Sequence, residues 1–176
     1  MRSIGLLGLS AIFSLGAPLA MAERPASPTM TYRHLWTDSA GKSHFTMCKL
    51  SRFDLQSMSA PAGPQWQNRL EHAGSTTLIA TVQPDQWDGA WHEDPKPQWI
   101  IPLSGRWFMQ AQDGTRFEMG PGDIALGEDQ NTVAANSGPL AGKKGHLAGN
   151  VGRGEVKLLV IQLNETPTIN QPCRFK

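Results

Sequence analysis

The strongest constraint on the fold is a series of short strand-like segments separated by turns that contain glycine. The segments are HFTMCKL from His44, TTLIATV from Thr76, QWIIPLS from Gln98, RWFMQAQ from Arg106, TRFEM from Thr115, DIAL from Asp123 and EVKLLVIQL from Glu155. The turn signals between them are Asp88-Gly89, Ser104-Gly105, Asp113-Gly114 and Gly120-Pro121-Gly122. Short strands at near-regular spacing, without a long helical period, are typical of an all-β sandwich or barrel. We therefore predict an all-β fold.

Three segments depart from this pattern. Residues 64–72 contain WQNRLEH, whose amphipathic character favours a short helix, and this is the most helix that we expect. Pro102 lies inside an apolar strand and removes one backbone donor, which predicts a free edge or a bulge there. Residues 131–145 are polar and rich in glycine, so we expect a mobile loop on the rim of the domain.

The amino terminus has the pattern of a secretory signal peptide. A basic start is followed by an apolar stretch over residues 4–19 and by the small-residue site Ala20-Met21-Ala22. The alternative is a membrane anchor, but the apolar stretch is shorter than the roughly 20 residues that a membrane-spanning helix needs. We predict cleavage after Ala22, a flexible arm over residues 23–31 and a single domain over residues 32–176. This implies a periplasmic or secreted protein.

Charge gives little indication of a macromolecular partner. The whole chain has a formal net charge of +1, and loss of the leader with Arg2 makes the basic and acidic residues equal in number. No block of like charge is present, which argues against nucleic-acid binding and against a polybasic membrane surface after cleavage.

The chain has two cysteines, Cys48 and Cys173. Export makes a disulfide between them possible, and the alternative is a pair of unpaired thiols. We favour the disulfide, because an exposed thiol is a liability outside the cytoplasm.

Candidate metal ligands cluster in one segment. His92, Asp94 and Gln98 lie at even offsets, so an extended strand would direct all three side chains to one face. A histidine from a distant strand could meet that face, and His146 is the candidate. Imidazole nitrogens bind zinc, copper, iron and nickel, and a carboxylate or amide oxygen can complete the set.

This segment resembles the first motif of the cupin superfamily. That motif has two histidines separated by one residue, then a glutamate, six residues and a glycine. His92, Asp94, Gln98 and Gly105 keep the spacing, but Asp94 stands in place of the second histidine and Gln98 in place of the glutamate. The cupin motif also has a glycine further upstream of its first histidine, whereas here Gly89 lies only three residues before His92.

The second cupin motif is matched less completely. Gly122 opens it within a Pro121-Gly122-Asp123 turn, but Glu128 stands at the proline position and Val133 at the histidine position. His146 and Asn150 match the end of the motif if an insertion precedes them. The resemblance covers residues 87–163.

The resemblance implies a double-stranded β-helix, or jelly-roll barrel, around one divalent metal ion: copper, iron, zinc, nickel or manganese. It implies His92, Gln98 and His146 as metal ligands, and Asp94 is the only nearby candidate for catalytic proton transfer. It also suggests a homodimer, for which the strands around His44 would be suitable.

Each candidate also has a plainer interpretation. His92 could be an ordinary strand histidine, His146 a solvated loop residue, Gln98 the partner of a water molecule and Asp94 the end of a strand. His34, His44 and His72 match no motif position, and we expect surface or structural roles for them. Trp87, Trp91, Trp99 and Trp107 lie near the first motif, where they could fill the core or form a platform for a sugar or aromatic ligand.

Fold alone does not choose a function. The first hypothesis is an exported, metal-dependent oxidoreductase acting on a small organic or carbohydrate substrate. The second is a non-catalytic periplasmic module that binds a metal or a small ligand. The third is a cupin that has lost its metal and serves as a structural unit.

Overall fold

The structure is a computed structural model, and it describes residues 26–176. The signal peptide predicted over residues 1–22 therefore lies outside the described residues. Within the described range the chain forms strands and no helix, which confirms the all-β prediction. The strands are β1 (Met30–Thr37), β2 (Ser43–Leu50), β3 (Asp54–Gln56), β4 (Gln65–Gln67), β5 (Thr76–Gln83), β6 (Asp88–His92), β7 (Gln98–Ser104), β8 (Trp107–Ala111), β9 (Arg116–Met119), β10 (Ala125–Glu128), β11 (His146–Asn150) and β12 (Val156–Leu163).

The strands form two main sheets. The larger has the order β2-β1-β10-β7-β12-β5, in which only the β1–β10 pair is parallel. The smaller has the order β6-β11-β8-β9 and is antiparallel throughout. Neither sheet closes into a barrel within residues 26–176.

The main core lies between these two sheets. Its buried side chains alternate along each strand, as expected for sheets with one face directed inward. The larger sheet contributes Leu35, Ile100, Ala125, Val156, Leu158 and Val160, and the smaller sheet contributes Trp107, Met109, Ala111, Met119 and Ala148. The two sheets are therefore held together mainly by apolar burial.

A second core covers part of the outer face of the larger sheet. It contains Tyr32, Leu126 and Trp99 from that sheet, and Phe175 from the carboxyl-terminal segment packs against them. The Tyr32 hydroxyl donates a hydrogen bond to the Phe175 carbonyl (2.9 Å) and accepts one from the Phe175 N–H (3.0 Å). The end of the chain is thereby fixed to the first strand.

A buried ionic network also holds the carboxyl-terminal segment. Glu128, with no exposed surface, accepts hydrogen bonds from His34 Nε2 (3.1 Å), from Arg174 (2.8 Å) and from the N–H and hydroxyl of Thr168 (2.7 and 3.0 Å). His34 Nδ1 in turn accepts a hydrogen bond from the Cys173 N–H (3.1 Å). The Glu128 carboxylate is thus fully partnered, as a buried charge requires.

The cysteines form the predicted disulfide. Cys48 on β2 is bonded to Cys173 in the carboxyl-terminal segment, and their Cα atoms are 5.1 Å apart. The disulfide pairing prediction is confirmed. A disulfide of this kind is consistent with an oxidising compartment.

The predicted helix over residues 64–72 is wrong. Gln65–Gln67 form the short strand β4, which pairs with β3, and residues 68–72 have no regular structure. A segment of this length does not form a stable helix by itself, and the pairing of Trp66 with Leu55 gives it an extended alternative. The expected flexible arm is also shorter than residues 23–31, because β1 begins at Met30.

The predicted irregularity at Pro102 is confirmed. The register between β7 and β12 shifts where Lys157 pairs with Ser104 but Leu158 pairs with Pro102. Turns form at Gly105, Gly114 and Gly122, all with positive φ. Asp88-Gly89 is not a turn, however, since both residues belong to β6.

The larger sheet ends on one side at β2, which carries His44. The His44 ring stacks on Trp36 and contacts the carboxylates of Asp38 and Asp113, both at 2.9 Å. The homodimer expected around this strand stays a prediction.

The described part of the chain contains no helix able to cross a membrane.

The single tyrosine provides a test of the second core. Burial raises the pKa of Tyr32 to about 12; the hydrogen bond with Phe175 opposes this shift, and the nearby Glu128 charge adds to it. We expect absorbance at 295 nm to show phenolate formation near pH 12 in the folded protein and near pH 10 in urea. Because the unfolded chain loses this proton first, the free energy of unfolding should fall as the pH rises from about 10 to 12. A folded-state transition near pH 10 would contradict the burial.

The disulfide provides a second test. Replacing both Cys48 and Cys173 with serine should lower the free energy of unfolding by about 4 kcal/mol, because the bond closes a long loop in the unfolded chain. The measurement is urea denaturation of the oxidised protein and the double variant. Alkylation of both thiols in the folded, non-reduced protein would refute the bond.

Candidate functional site

The two histidines predicted as metal ligands are cross-strand neighbours. His92 at the end of β6 pairs directly with His146 at the start of β11, so both side chains lie on the same face of the smaller sheet. Their ring centroids are 4.4 Å apart. His146 is buried and His92 is partly exposed. The fold thus joins two residues that are far apart in the sequence.

A cavity of about 120 Å³ lies beside these rings, between the two sheets. All four residues singled out in the sequence line it: His92, Asp94, Gln98 and His146. The remaining lining residues are Thr81, Gln83, Trp87, Ile100, Trp107, Ala148, Leu158 and Val160.

Asp129 is a site residue that the sequence analysis missed. It is fully buried, and its Oδ2 accepts a hydrogen bond from His146 Nδ1 (2.8 Å). Its Oδ1 accepts a hydrogen bond from the Asp94 N–H (2.9 Å). Two adjacent acidic residues, Glu128 and Asp129, directly follow an apolar strand, and this pattern was the available signal.

Asp94 is buried with only one carboxylate oxygen partnered. Its Oδ1 accepts a hydrogen bond from Gln98 Nε2 (2.6 Å), and its Oδ2 has no hydrogen-bond partner among the described residues. The Oδ2 atom lies against the backbone of Gly127, where an added Cβ would come within 1.8 Å of it. Glycine at position 127 is therefore what allows Asp94 to occupy this position.

Both ends of the Gln98 amide are engaged. Its Nε2 donates to Asp94, and its Oε1 accepts a hydrogen bond from Gln162 Nε2 (3.0 Å). In this arrangement Gln98 orients the Asp94 carboxylate. The prediction that Gln98 itself binds metal stays a prediction.

The Nδ1 atom of His92 is also committed. It lies 3.1 Å from the Ala90 carbonyl, which can only accept, so Nδ1 carries the proton. Nε2 is therefore the nitrogen of His92 that can still accept a hydrogen bond or bind a metal ion. The loop that leads into β11 also lies close to His92: Gly145 has φ +74°, and an added Cβ there would come within 1.9 Å of the His92 carbonyl oxygen.

The pKa values in the site are shifted in different directions. Burial raises the pKa of Asp94 to about 7, and the Asp129 charge adds to this, while His146 opposes it. Burial opposes protonation of His146, but the charges of Asp129 and Asp94 outweigh it and raise the pKa of that imidazole. Burial, together with the charge of His146, lowers the pKa of His92.

Asp94, Asp129 and His146 form a buried group that could hold a metal ion, since candidate ligand atoms from all three lie within 4.8 Å of one another. The donor set fits a cation. Two buried carboxylates lie near one imidazole, and Asp94 Oδ2 has no hydrogen-bond partner among the described residues. Buried charges of like sign are costly unless a positive charge compensates them.

The tryptophans near the site divide between the two faces of the sheets. Trp87 and Trp107 line the cavity, whereas Trp99 is buried in the second core on the outer face. Trp91 is partly exposed and does not line the cavity. Among the other histidines, His34 is buried in the Glu128 network and His72 is partly exposed, as expected for structural and surface residues.

Gly127 provides a test of the position of Asp94. We expect Gly127→Ala to lower the free energy of unfolding by about 2 kcal/mol, because the new methyl group overlaps Asp94 Oδ2. Gly63→Ala is the matched control, since an added Cβ there has nothing within 4 Å, and its effect should stay within about 0.5 kcal/mol. If both variants unfolded at the same urea concentration, the close contact between Gly127 and Asp94 Oδ2 would be contradicted.

Comparisons with known proteins give no family. No family model matches the chain. No curated protein matches it either. Among solved structures the chain is similar to the crystal structure of protein NMB1881 from Neisseria meningitidis, with 14% sequence identity over 60% of this chain and 91% of that one, and a TM-score of 0.35. A TM-score at that level does not establish a shared fold, so neither fold nor function is taken from it.

Proposed function

We propose that the protein binds one divalent transition metal ion through Nε2 of His92, Nε2 of His146 and Oδ2 of Asp94. The observation that carries the proposal is that these three residues border one cavity while their other polar atoms are already partnered. Asp94 and His146 belong to the buried group whose candidate ligand atoms lie within 4.8 Å of one another, and His92 lies beside His146, with ring centroids 4.4 Å apart. One lone pair on each group is left to accept a cation.

The hydrogen bonds around the ligands support this assignment. A histidine that binds metal commonly donates its other ring N–H to a carboxylate or a backbone carbonyl, which fixes the tautomer and the ring orientation. His146 donates to Asp129, and His92 donates to the Ala90 carbonyl. Asp129 then serves as the positioning residue of His146, and Gln98 as that of Asp94.

We propose a cupin-type jelly roll as the fold. Successive strands from β5 to β12 alternate between the larger and smaller sheets, except that β8 and β9 are consecutive in the smaller one. Two facing sheets built by such alternation are the arrangement of jelly rolls. The cupin resemblance of residues 87–163 supports the same proposal.

Two imidazoles and one carboxylate on one side of an ion suit iron(II), and copper, zinc, nickel and manganese also accept such ligands. With three protein ligands, coordination positions stay open, as they do in catalytic rather than structural metal sites. The cavity beside the ligands would receive the substrate.

We propose that the activity is a metal-dependent oxidation of a small organic molecule. A redox-active ion would supply the electron transfer when bound. The protein's own contribution is to hold the substrate and to exclude water, through apolar walls that include Ile100, Leu158 and Val160. The predicted signal peptide and the Cys48–Cys173 disulfide support a site of action in the periplasm or outside the cell.

One observation favours a second candidate, a non-catalytic module that binds the metal or a small ligand. Once Asp94 is assigned as a ligand, the cavity lining offers no other carboxylate, lysine or cysteine for proton transfer. Consumption of oxygen or peroxide by the metal-loaded protein would support the oxidoreductase, and bound metal without turnover would support the module.

Metal stoichiometry tests the proposal. We expect one ion per chain after equilibrium dialysis against iron(II) or zinc, measured by elemental analysis. His92→Ala and Asp94→Ala should weaken binding at least about 100-fold, because each removes a ligand. Asp129→Ala and Gln98→Leu should weaken it by about 10 to 100-fold, because they remove only the groups that orient the ligands.

His72→Ala is the matched control, since His72 is partly exposed and lies outside the site. Circular dichroism of each variant separates metal loss from unfolding. Full stoichiometry in folded His92→Ala protein would overturn the ligand assignment.

A further inference from the structure

The end of the cavity away from the metal ligands carries two buried polar atoms without a partner. Gln83 Oε1 and Trp107 Nε1 have no hydrogen-bond partner among the described residues, and the two residues are only 6% and 3% exposed. Both line the cavity. A buried donor or acceptor that stays unpaired costs about 1–3 kcal/mol, so this pair indicates a ligand that satisfies both.

The strand register places these two atoms at the same end. Gln83 pairs with Val156 at one end of β12, whereas Gln162, which bonds Gln98, lies near the other end of that strand. Trp107 begins β8, whereas Ala111, which pairs with His146, ends it. The backbone positions of Trp107 and Ala111 are separated by roughly 13 Å at the usual rise of a strand.

The wall between the two polar ends is apolar. Ile100, Ala148, Leu158 and Val160 line it, and all four belong to the main core. The cavity is therefore polar at the metal ligands, apolar in the middle and polar again at Gln83 and Trp107.

We propose that the site takes a short, unbranched molecule with an oxygen donor for the metal at one end and a hydroxyl group at the other. A hydroxyl can accept the hydrogen bond of Trp107 Nε1 and donate its own proton to Gln83 Oε1. The inference rests on the proposed metal site, because the ion supplies the anchor for the first end.

The cavity volume sets the size of the ligand portion held between the two sheets. A dry cavity of about 150 Å³ encloses benzene, so the present one of about 120 Å³, which opens to solvent, has room between the sheets for about five non-hydrogen atoms. Short hydroxy acids and related hydroxy compounds have the two polar ends that this lining requires.

Binding to zinc-loaded protein tests the proposal without any turnover. The probes are 3-hydroxypropanoate and 4-hydroxybutanoate, compared by calorimetry with their methyl isosteres butanoate and pentanoate, and with the diacids malonate and succinate. We expect each hydroxy acid to bind at least about tenfold more tightly than its methyl isostere, because a methyl group leaves both buried atoms unpaired. Diacids should bind more weakly than hydroxy acids, since a carboxylate has no proton for Gln83 Oε1.

Variants test whether Gln83 and Trp107 cause the preference for a hydroxyl group. Trp107→Phe and Gln83→Leu each keep a large side chain at the position but remove the group that would bond the hydroxyl, and the double variant should bind hydroxy acids and methyl isosteres with about equal affinity. Equal binding of hydroxy acids and methyl isosteres to the wild-type protein would overturn the inference, as would tighter binding of the diacids. Zinc content is measured in the same samples. Loss of the metal would show that the proposed metal site is wrong. Retained metal without a preference for the hydroxyl group would show that this inference is wrong.

Discussion

The site depends on one buried carboxylate, that of Asp129. Its two oxygens bond the Asp94 N–H and His146 Nδ1, so one side chain fixes the segment between β6 and β7 to the start of β11. Asp129 itself directly follows β10. Three segments that are distant in the sequence therefore meet at a group with no exposed surface, where hydrogen bonds are stronger than in water. Without this carboxylate, the His146 ring would lose the contact that orients it towards the cavity.

Glu128 and Asp129 show how adjacent acidic residues serve opposite faces of one strand. Successive side chains of a strand point to opposite sides. Glu128 points outward and is fully partnered by His34, Thr168 and Arg174. Asp129 points inward, next to Asp94, whose Oδ2 has no hydrogen-bond partner within residues 26–176. The Glu128 carboxylate has all its hydrogen bonds within the protein and holds the end of the chain. The network of Asp129 and Asp94 leaves one carboxylate oxygen unpartnered, as a ligand-binding site requires.

The sequence predicted the all-β fold and the disulfide, because strand alternation, turn residues and cysteine count are local signals. It also singled out His92, Asp94, Gln98 and His146, and all four line one cavity. It could not predict the contact between Gln98 and Gln162, nor the role of Asp129, because these depend on which strands become neighbours. The helix expected over residues 64–72 failed for the same reason, since pairing with β3 outweighed a weak local preference.

Gln98 suits the charge of the buried site better than a glutamate would. Glutamate at position 98 would place a third carboxylate beside Asp94 and Asp129 in a buried site, where like charges repel strongly. Glutamine at that position instead donates a hydrogen bond to Asp94 Oδ1. Gln98→Glu would therefore leave Asp94 without the donor that orients it.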